Sequence, residues 1–195
     1  MGVHLVPKYY FLTSGLGIHD YKLISFEYAL RNAGCEKFNL VPVSSIIPPE
    51  CEKLTFEEGL KKLRTGEIVF CVMSRISTKE KNIPVSAVIS SIKEKHKNHG
   101  YFLESSDSKS DFIDVIKETI KMTFSMTDIS DNSDIKIQNV DLFKKIAILT
   151  DESGNSSSKG IHNIGSSKIE WLGISGNNTK NKKWLTVLSM AIFIF

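Results

Sequence analysis

The sequence predicts an α+β domain in which helices pack on sheet. Three observations carry this. Taken in order, the apolar patterning reads strand, helix, strand, strand, helix, strand, helix and then mainly strands. No internal repeat is visible. The 195 residues, 41% of them hydrophobic, suffice for one domain with a sizeable core.

Composition narrows the partners. A net charge of +3 with no polybasic run argues against nucleic acid. Cys35, Cys51 and Cys71 lie in no metal-ligand spacing and follow no signal-like N-terminus, because Met1 to Lys8 is short and holds Pro7. No metal and a reducing, cytoplasmic setting are the expectations. The apolar end, Trp184 to Phe195, has twelve residues, whereas a membrane-spanning helix needs about 20. It reads as a core strand, with no membrane partner.

Tyr9 to Thr13 is aromatic and β-prone, and Ser14-Gly15-Leu16-Gly17 reads as the tight turn that ends it. The glycines lack the third glycine of a dinucleotide fingerprint and the Lys-Ser/Thr of a phosphate-binding loop. Asp20 would also repel phosphate there, which weighs against a nucleotide-binding module. Asp20 is expected to cap a helix from Tyr21 to Ala33 that stops at Gly34 and buries Leu23, Phe26 and Leu30. Glu27 falls beside that stripe and needs either solvent or a cation.

Phe38, Leu40 and Pro42 then share one face of a strand, with Asn39, Val41 and Val43 on the other. Pro42 donates no ladder hydrogen bond, so this strand belongs at an edge or breaks near Ser44-Ser45. Glu52 to Lys62 is a polar, partly helical connection, and Glu67 to Met73 a central strand. Pro84 is suited to the first turn of a helix in which Val85, Val88, Ile89 and Ile92 recur at helical spacing. His96 and His99 follow without a third metal ligand.

Gly100 starts a short strand, Tyr101 to Glu104, that places Glu104 on the face of Phe102. A helix from Ser110 to Met126 turns Phe112, Ile116, Ile120 and Thr123 or Phe124 inward. Further strands are expected at Ile135 to Val140, Lys145 to Leu149, Ile169 to Ile174 and Trp184 to Phe195. Asp151 to Ser167 and Ser175 to Lys183, rich in Ser, Asn, Gly and Lys, read as mobile surface loops.

The chemistry concentrates at Ser44-Ser45. A serine hydroxyl held against the preceding carbonyl can attack it and turn the amide into an ester, provided that the oxyanion is stabilised. Elimination from the ester breaks the chain and leaves dehydroalanine, which hydrolyses to a pyruvoyl group. Such a ketone forms a Schiff base with an amine substrate and accepts electrons as carbon dioxide leaves. No free cofactor is then needed. Alone, Ser-Ser before Pro-Pro is an ordinary loop signal.

Its setting is more specific. Phe26-Glu27-Tyr28-Ala29-Leu30-Arg31-Asn32-Ala33-Gly34, followed by Asn39-Leu40-Val41-Pro42-Val43-Ser44-Ser45-Ile46-Ile47-Pro48-Pro49, resembles the core of the pyruvoyl-dependent arginine decarboxylases. Glu67-Ile68-Val69, the Pro84 segment and Gly100-Tyr101-Phe102-Leu103-Glu104 follow at the family's spacing. The resemblance implies an αββα sandwich of antiparallel or mixed sheets with helices on the outer faces. It implies self-cleavage into a β chain, 1–44, and an α chain, 45–195, and homotrimers with active sites between subunits.

The resemblance also implies roles: Ser45 as source of the covalent pyruvoyl group, Asn39 in processing and at the substrate carboxylate, and Glu104 as the acid that protonates the carbanion. The apolar neighbours of Glu104 are expected to bury it and keep its proton available. Glu27 stands where the family has an aspartate that pairs with the substrate guanidinium, and Leu23 and Leu30 would pack its aliphatic stem. The implied reaction is decarboxylation of L-arginine to agmatine and carbon dioxide, a step of polyamine biosynthesis. The extra methylene of Glu27 keeps another amino acid open as substrate, and an uncleaved, non-catalytic regulatory homologue is the competing class. Glu36 stands at a place often small or apolar in the family, and 143–183 reads as a loop-rich insertion.

Overall fold

The computed structural model describes residues 4–94, 99–126, 149–151, 155–164 and 167–195. Two sheets stack face to face with a helix on each outer side, the expected αββα sandwich. The first sheet runs β2 (Asn39–Pro42), β5 (Ile68–Thr78), β11 (Trp184–Ile194), β1 (Tyr9–His19), β4 (Glu52–Lys53). It is mixed, because β2 lies parallel to β5 and β4 parallel to β1. The second is antiparallel and runs β3 (Ile46–Ile47), β7 (Gly100–Ser108), β6 (Pro84–Glu94), β10 (Ser167–Asn177), β9 (Ser156–Ile164), β8 (Leu149–Thr150).

Helix α1 (Lys22–Asn32) covers β1 and β11, and α3 (Phe112–Ser125) covers β6, β7 and β10. A short helix, α2 (Phe56–Lys62), starts on a Thr55 capping box and packs beside β1, within the partly helical connection. Helix α3 forms as expected: Asp111 accepts the Ile113 N–H at 2.8 Å, and Phe112, Ile116, Ile120, Thr123 and Phe124 are buried. Between the sheets, Tyr10, Val72, Ile89, Phe102 and Phe193 share a core. The C-terminal segment is the buried strand β11.

Several expectations change. Ser14 to Gly17 is not a turn but the middle of β1, paired residue by residue with β11. The glycines serve packing: a Cβ on Gly15 would lie 2.0 Å from the Ala29 carbonyl oxygen, and one on Gly17 2.2 Å from that of Ser25. Helix α1 rests on the groove so made. Its N-cap is Tyr21, and Asp20 instead faces Lys183 at 3.7 Å. The buried face comprises Ser25, Ala29 and Leu30, whereas Leu23 is 74% exposed. The stripe is shifted because the groove accepts small side chains.

The Pro84 segment is strand β6, not a helix. The helical spacing of Val85, Val88, Ile89 and Ile92 takes no account of Ser86, Ser90 and Ser91. All three are buried, with Ser86 donating to Ser175 at 3.0 Å and Ser90 bonded to Thr123. A strand covered on both faces has no alternation to read.

Asp151 to Ser167 is not a loop throughout, since Ser156–Ile164 forms β9, and β10 extends to Asn177. Much of 143–183 is thus strand. The strand expected at Ile135 to Val140 lies outside the described residues, as does Lys145 to Leu149 apart from Leu149, which begins β8.

An ion pair crosses the sandwich. Glu170 of β10 is 4% exposed and holds Lys53 of β4, in the opposite sheet, and Lys168 at 2.5 Å. Burial alone pushes its carboxyl up, but the hydrogen bonds and charges of the two lysines outweigh this and hold it below the usual value.

Gly15→Ala should lower stability by about 3 kcal/mol or more, because the added carbon meets backbone. Gly66→Ala, at φ +82 with open space around its Cβ, should cost about 1–2 kcal/mol. Urea unfolding compares them, and equal losses would contradict the close helix packing. A depressed folded pKa contributes stability that is present above the unfolded value and lost as pH falls through the folded one. Glu170→Gln should therefore flatten the stability curve below about pH 5, where the unfolded carboxyl begins to protonate, in acid titrations followed by circular dichroism.

Candidate functional site

The second strand and the third are both edge strands, one in each sheet, and only Val43, Ser44 and Ser45 separate them. The chain therefore crosses from one sheet to the other at the suspected serines. Each side of the crossing is fastened. Val43 N–H donates to the Cys71 carbonyl of β5 at 2.9 Å, and Phe102 N–H of β7 donates to the Ser45 carbonyl at 2.7 Å. Pro42 is the last residue of β2, where its missing N–H is tolerated because β2 is an edge strand.

Within this clamp, Ser45 Oγ donates to Glu104 Oε2 at 3.1 Å, and the Ser44 carbonyl oxygen accepts from Ile46 N–H at 3.1 Å. The first contact orients the hydroxyl. The second draws electrons from the Ser44 carbonyl, which adjoins that hydroxyl. Ser44 is exposed and Ser45 half-buried. Next to them is a cavity of about 390 Å³ whose lining, Ser44 apart, is apolar and includes Val43, Ile46, Phe70 and Phe195. A small ketone at Ser45, beside one carboxyl and an apolar wall, fits these residues.

Glu104 departs from expectation in one respect. It is exposed on this chain, not buried among the large residues before it. Phe102, two positions earlier, points into the intersheet core, but that core ends before Glu104.

Asn39, Leu30, Glu27 and Leu23 lie elsewhere. Asn39 sits at the opposite end of β2, where its N–H meets the Glu67 carbonyl and its Nδ2 the Gly66 carbonyl, both at 2.8 Å. Extended chain from Asn39 to Val43 spans about 13 Å, so one chain does not bring Asn39 to Ser45. Asn39 and Leu30 line a second cavity, of about 590 Å³, with Phe26, Phe38, Met73 and Arg75. Glu27 meets Arg31 at 3.1 Å along α1.

Arg75 was missed by the sequence reading. Its guanidinium stacks 4.4 Å from the Phe26 ring centre. The available signal was a lone cation inside an otherwise strand-forming run, Ile68 to Thr78.

His99 bonds the Tyr101 hydroxyl at 2.7 Å, and His96 lies outside the described residues. Among the described residues, no three His, Cys, Asp or Glu are grouped to hold a metal ion, and no helix is long and apolar enough to cross a membrane.

Comparison with known proteins agrees with this geometry. A model of the pyruvoyl-dependent arginine decarboxylase family matches residues 9–195. Pyruvoyl-dependent arginine decarboxylase 1 of Methanosarcina acetivorans is 49% identical over 123 residues, covering 63% of this chain and 74% of that protein. The enzyme of the same name from Methanosarcina mazei is 62% identical over 88 residues, covering 45% of this chain and 52% of that protein. The pyruvoyl-dependent arginine decarboxylase of Methanocella arvoryzae is 55% identical over 102 residues, covering 51% and 61%. Matched over nearly its whole length, and carrying the paired serines on a clamped crossing beside Glu104, the chain belongs to the pyruvoyl-dependent arginine decarboxylase family.

Proposed function

We propose that this chain cuts itself between Ser44 and Ser45, giving 1–44 and 45–195, and that the ketone formed at Ser45 serves decarboxylation of L-arginine to agmatine and carbon dioxide. One observation carries the reading: the Ser45 hydroxyl, held by Glu104 at 3.1 Å, adjoins a carbonyl already polarised by Ile46 N–H.

The cut balances as follows. Ser45 Oγ adds to the Ser44 carbonyl carbon, the C–N bond breaks, and the nitrogen takes the hydroxyl proton, leaving an ester and a free amine. Loss of the Ser45 Cα proton expels Ser44 as a carboxylate and leaves dehydroalanine. Water then replaces the nitrogen, which departs as ammonia, and the ketone remains. Held at position 45 beside Glu104, the ketone would supply a carbonyl to bind the substrate amine and a sink for the electron pair released with carbon dioxide.

The chain's own residues do the rest. Glu104, the acid beside position 45, delivers a proton to the carbon that has lost carbon dioxide and takes its replacement from solvent. Glu27 recognises the guanidinium, and its bond to Arg31 at 3.1 Å already has the required chemistry. Leu23, 74% exposed, and Leu30 offer apolar surface to the substrate's stem. Asn39 supplies an amide donor near the substrate carboxylate.

Asn39 and Leu30 stand apart from Ser45 and Glu104 on one chain, which supports a site completed by a second copy, in a homotrimer. The three cysteines are free and buried, their thiols pushed by burial to about 12 for Cys35 and about 11 for Cys51 and Cys71. Inert thiols of this kind support a reducing, cytoplasmic setting.

Ser45→Ala should yield one uncut chain of unchanged oligomeric state by intact-mass spectrometry and light scattering. Cutting at the same bond in that variant would remove Ser45 as the nucleophile. Glu104→Gln should still be cut, yet release carbon dioxide from arginine at least about 100-fold more slowly. Full turnover by Glu104→Gln would exclude Glu104 from the proton transfer, and faster release from lysine or ornithine than from arginine would reassign the substrate.

A further inference from the structure

Cleavage makes two new ends, a ketone at residue 45 and a carboxylate at Ser44. We propose that Arg75 binds that carboxylate: the freed end prolongs β2 along β5 and pairs with the Arg75 guanidinium. This inference rests on the cleavage reading above.

The edge it would occupy is open. Strand β2 runs parallel to β5 from Asn39 opposite Ile68 to Pro42 opposite Cys71, and Val43 N–H continues onto the Cys71 carbonyl at 2.9 Å. Beyond that point β5 goes on to Thr78, paired with β11 along its other edge. Among the described residues, no strand occupies the β2 side from Val72 to Thr78. Continued in the same register, Val43 stands opposite Val72 and Ser44 opposite Met73. Arg75 is two residues further, about 7 Å along the strand, within reach of its own long side chain.

Arg75 is suited to receive an anion there. It is exposed and, among the described residues, pairs with no carboxylate; its guanidinium lies against Phe26. It lines the 590 Å³ cavity together with Met73 and Pro42, the last residue of β2. A guanidinium binds a terminal carboxylate through two parallel hydrogen bonds.

The uncut chain prevents this pairing. Ser44 is drawn away from β5 by its bond to Ser45, whose carbonyl is fastened to Phe102 N–H at 2.7 Å. Cutting releases the tether and leaves the new carboxylate, which takes the Ser45 Oγ oxygen with it, in front of the ketone. A substrate carboxylate brought to the ketone would repel it. Withdrawal toward Arg75 relieves that repulsion and clears the space.

The test compares purified wild type, Arg75→Gln and Arg75→Lys, each first shown by intact mass to be cut. A carboxypeptidase is added to the native proteins, and loss of Ser44 from the β chain is followed by mass, with the Phe195 end of the α chain as internal control. Ser44 should be lost about fivefold faster from Arg75→Gln, as expected for a surface ion pair, and at an intermediate rate from Arg75→Lys. Hydrogen exchange at 39–43 should rise in Arg75→Gln once cut, but not when the same substitution is placed in uncut Ser45→Ala. Equal release and exchange in wild type and Arg75→Gln would overturn the proposal. So would a raised KM for arginine with unchanged release of Ser44, which would assign Arg75 to the substrate carboxylate. An uncut wild-type chain would refute the cleavage reading itself.

Discussion

The passage of the chain between two sheet edges is the constraint on which the site depends. Three residues, Val43 to Ser45, must leave one ladder and enter another, so none of them can belong fully to either sheet. The hydrogen bonds to Cys71 and from Phe102 fasten both flanks of the crossing, each contributing about 1 kcal/mol. What lies between is a peptide bond excluded from regular structure yet not free to wander. Chemistry on a backbone carbonyl requires both properties, since an amide inside a ladder is shielded and one in a loose loop is not aligned.

The contacts that hold the two sheets together lie away from that bond. The sheets are joined by packing that does not involve the crossing: Tyr10 and Phe193 meet Phe102 edge-on at 5.0 and 5.7 Å. Polar ties add to this, from Ser74 to the Ser105 carbonyl at 2.5 Å and from Lys53 to Glu170. Ser74 belongs to β5 and Ser105 follows Glu104 on β7, so the tie fixes the two strands that carry the clamp relative to one another. On the outer side, the glycine groove of β1 draws α1 onto the sheet, leaving Leu23 exposed and Glu27 partly so. Both site-bearing elements are therefore positioned by packing remote from the serines.

Much of the fold was legible because most elements announce themselves locally. The buried face of α3, the C-terminal strand and the break after Pro42 follow from periodicity and proline chemistry. Two of the failures, the turn expected at Ser14 to Gly17 and the helix expected after Pro84, share one cause. Gly15, Gly17, Ser86, Ser90 and Ser91 are small residues buried between packed elements. Whether a small residue faces water or a neighbouring helix is not encoded in its own segment. Strand β9 was hidden likewise, as its Ser-rich run pairs with β10.

For the site, the residues themselves single out Ser44-Ser45 as a pair able to react, and the family resemblance adds Asn39, Glu27 and Glu104 as candidates. Only the tertiary structure decided which of them meet. It joins Ser45 to Glu104 across 59 positions, sets Asn39 at the far end of its strand, and places Arg75 with Asn39 and Pro42 around one cavity. The physical reason is that sequence sets what a residue can donate, accept or attack, whereas distance is set by sheet register and layer packing. Those depend on strands far apart in the chain: the serine crossing is a crossing only because β2 and β3 end up on different sheets.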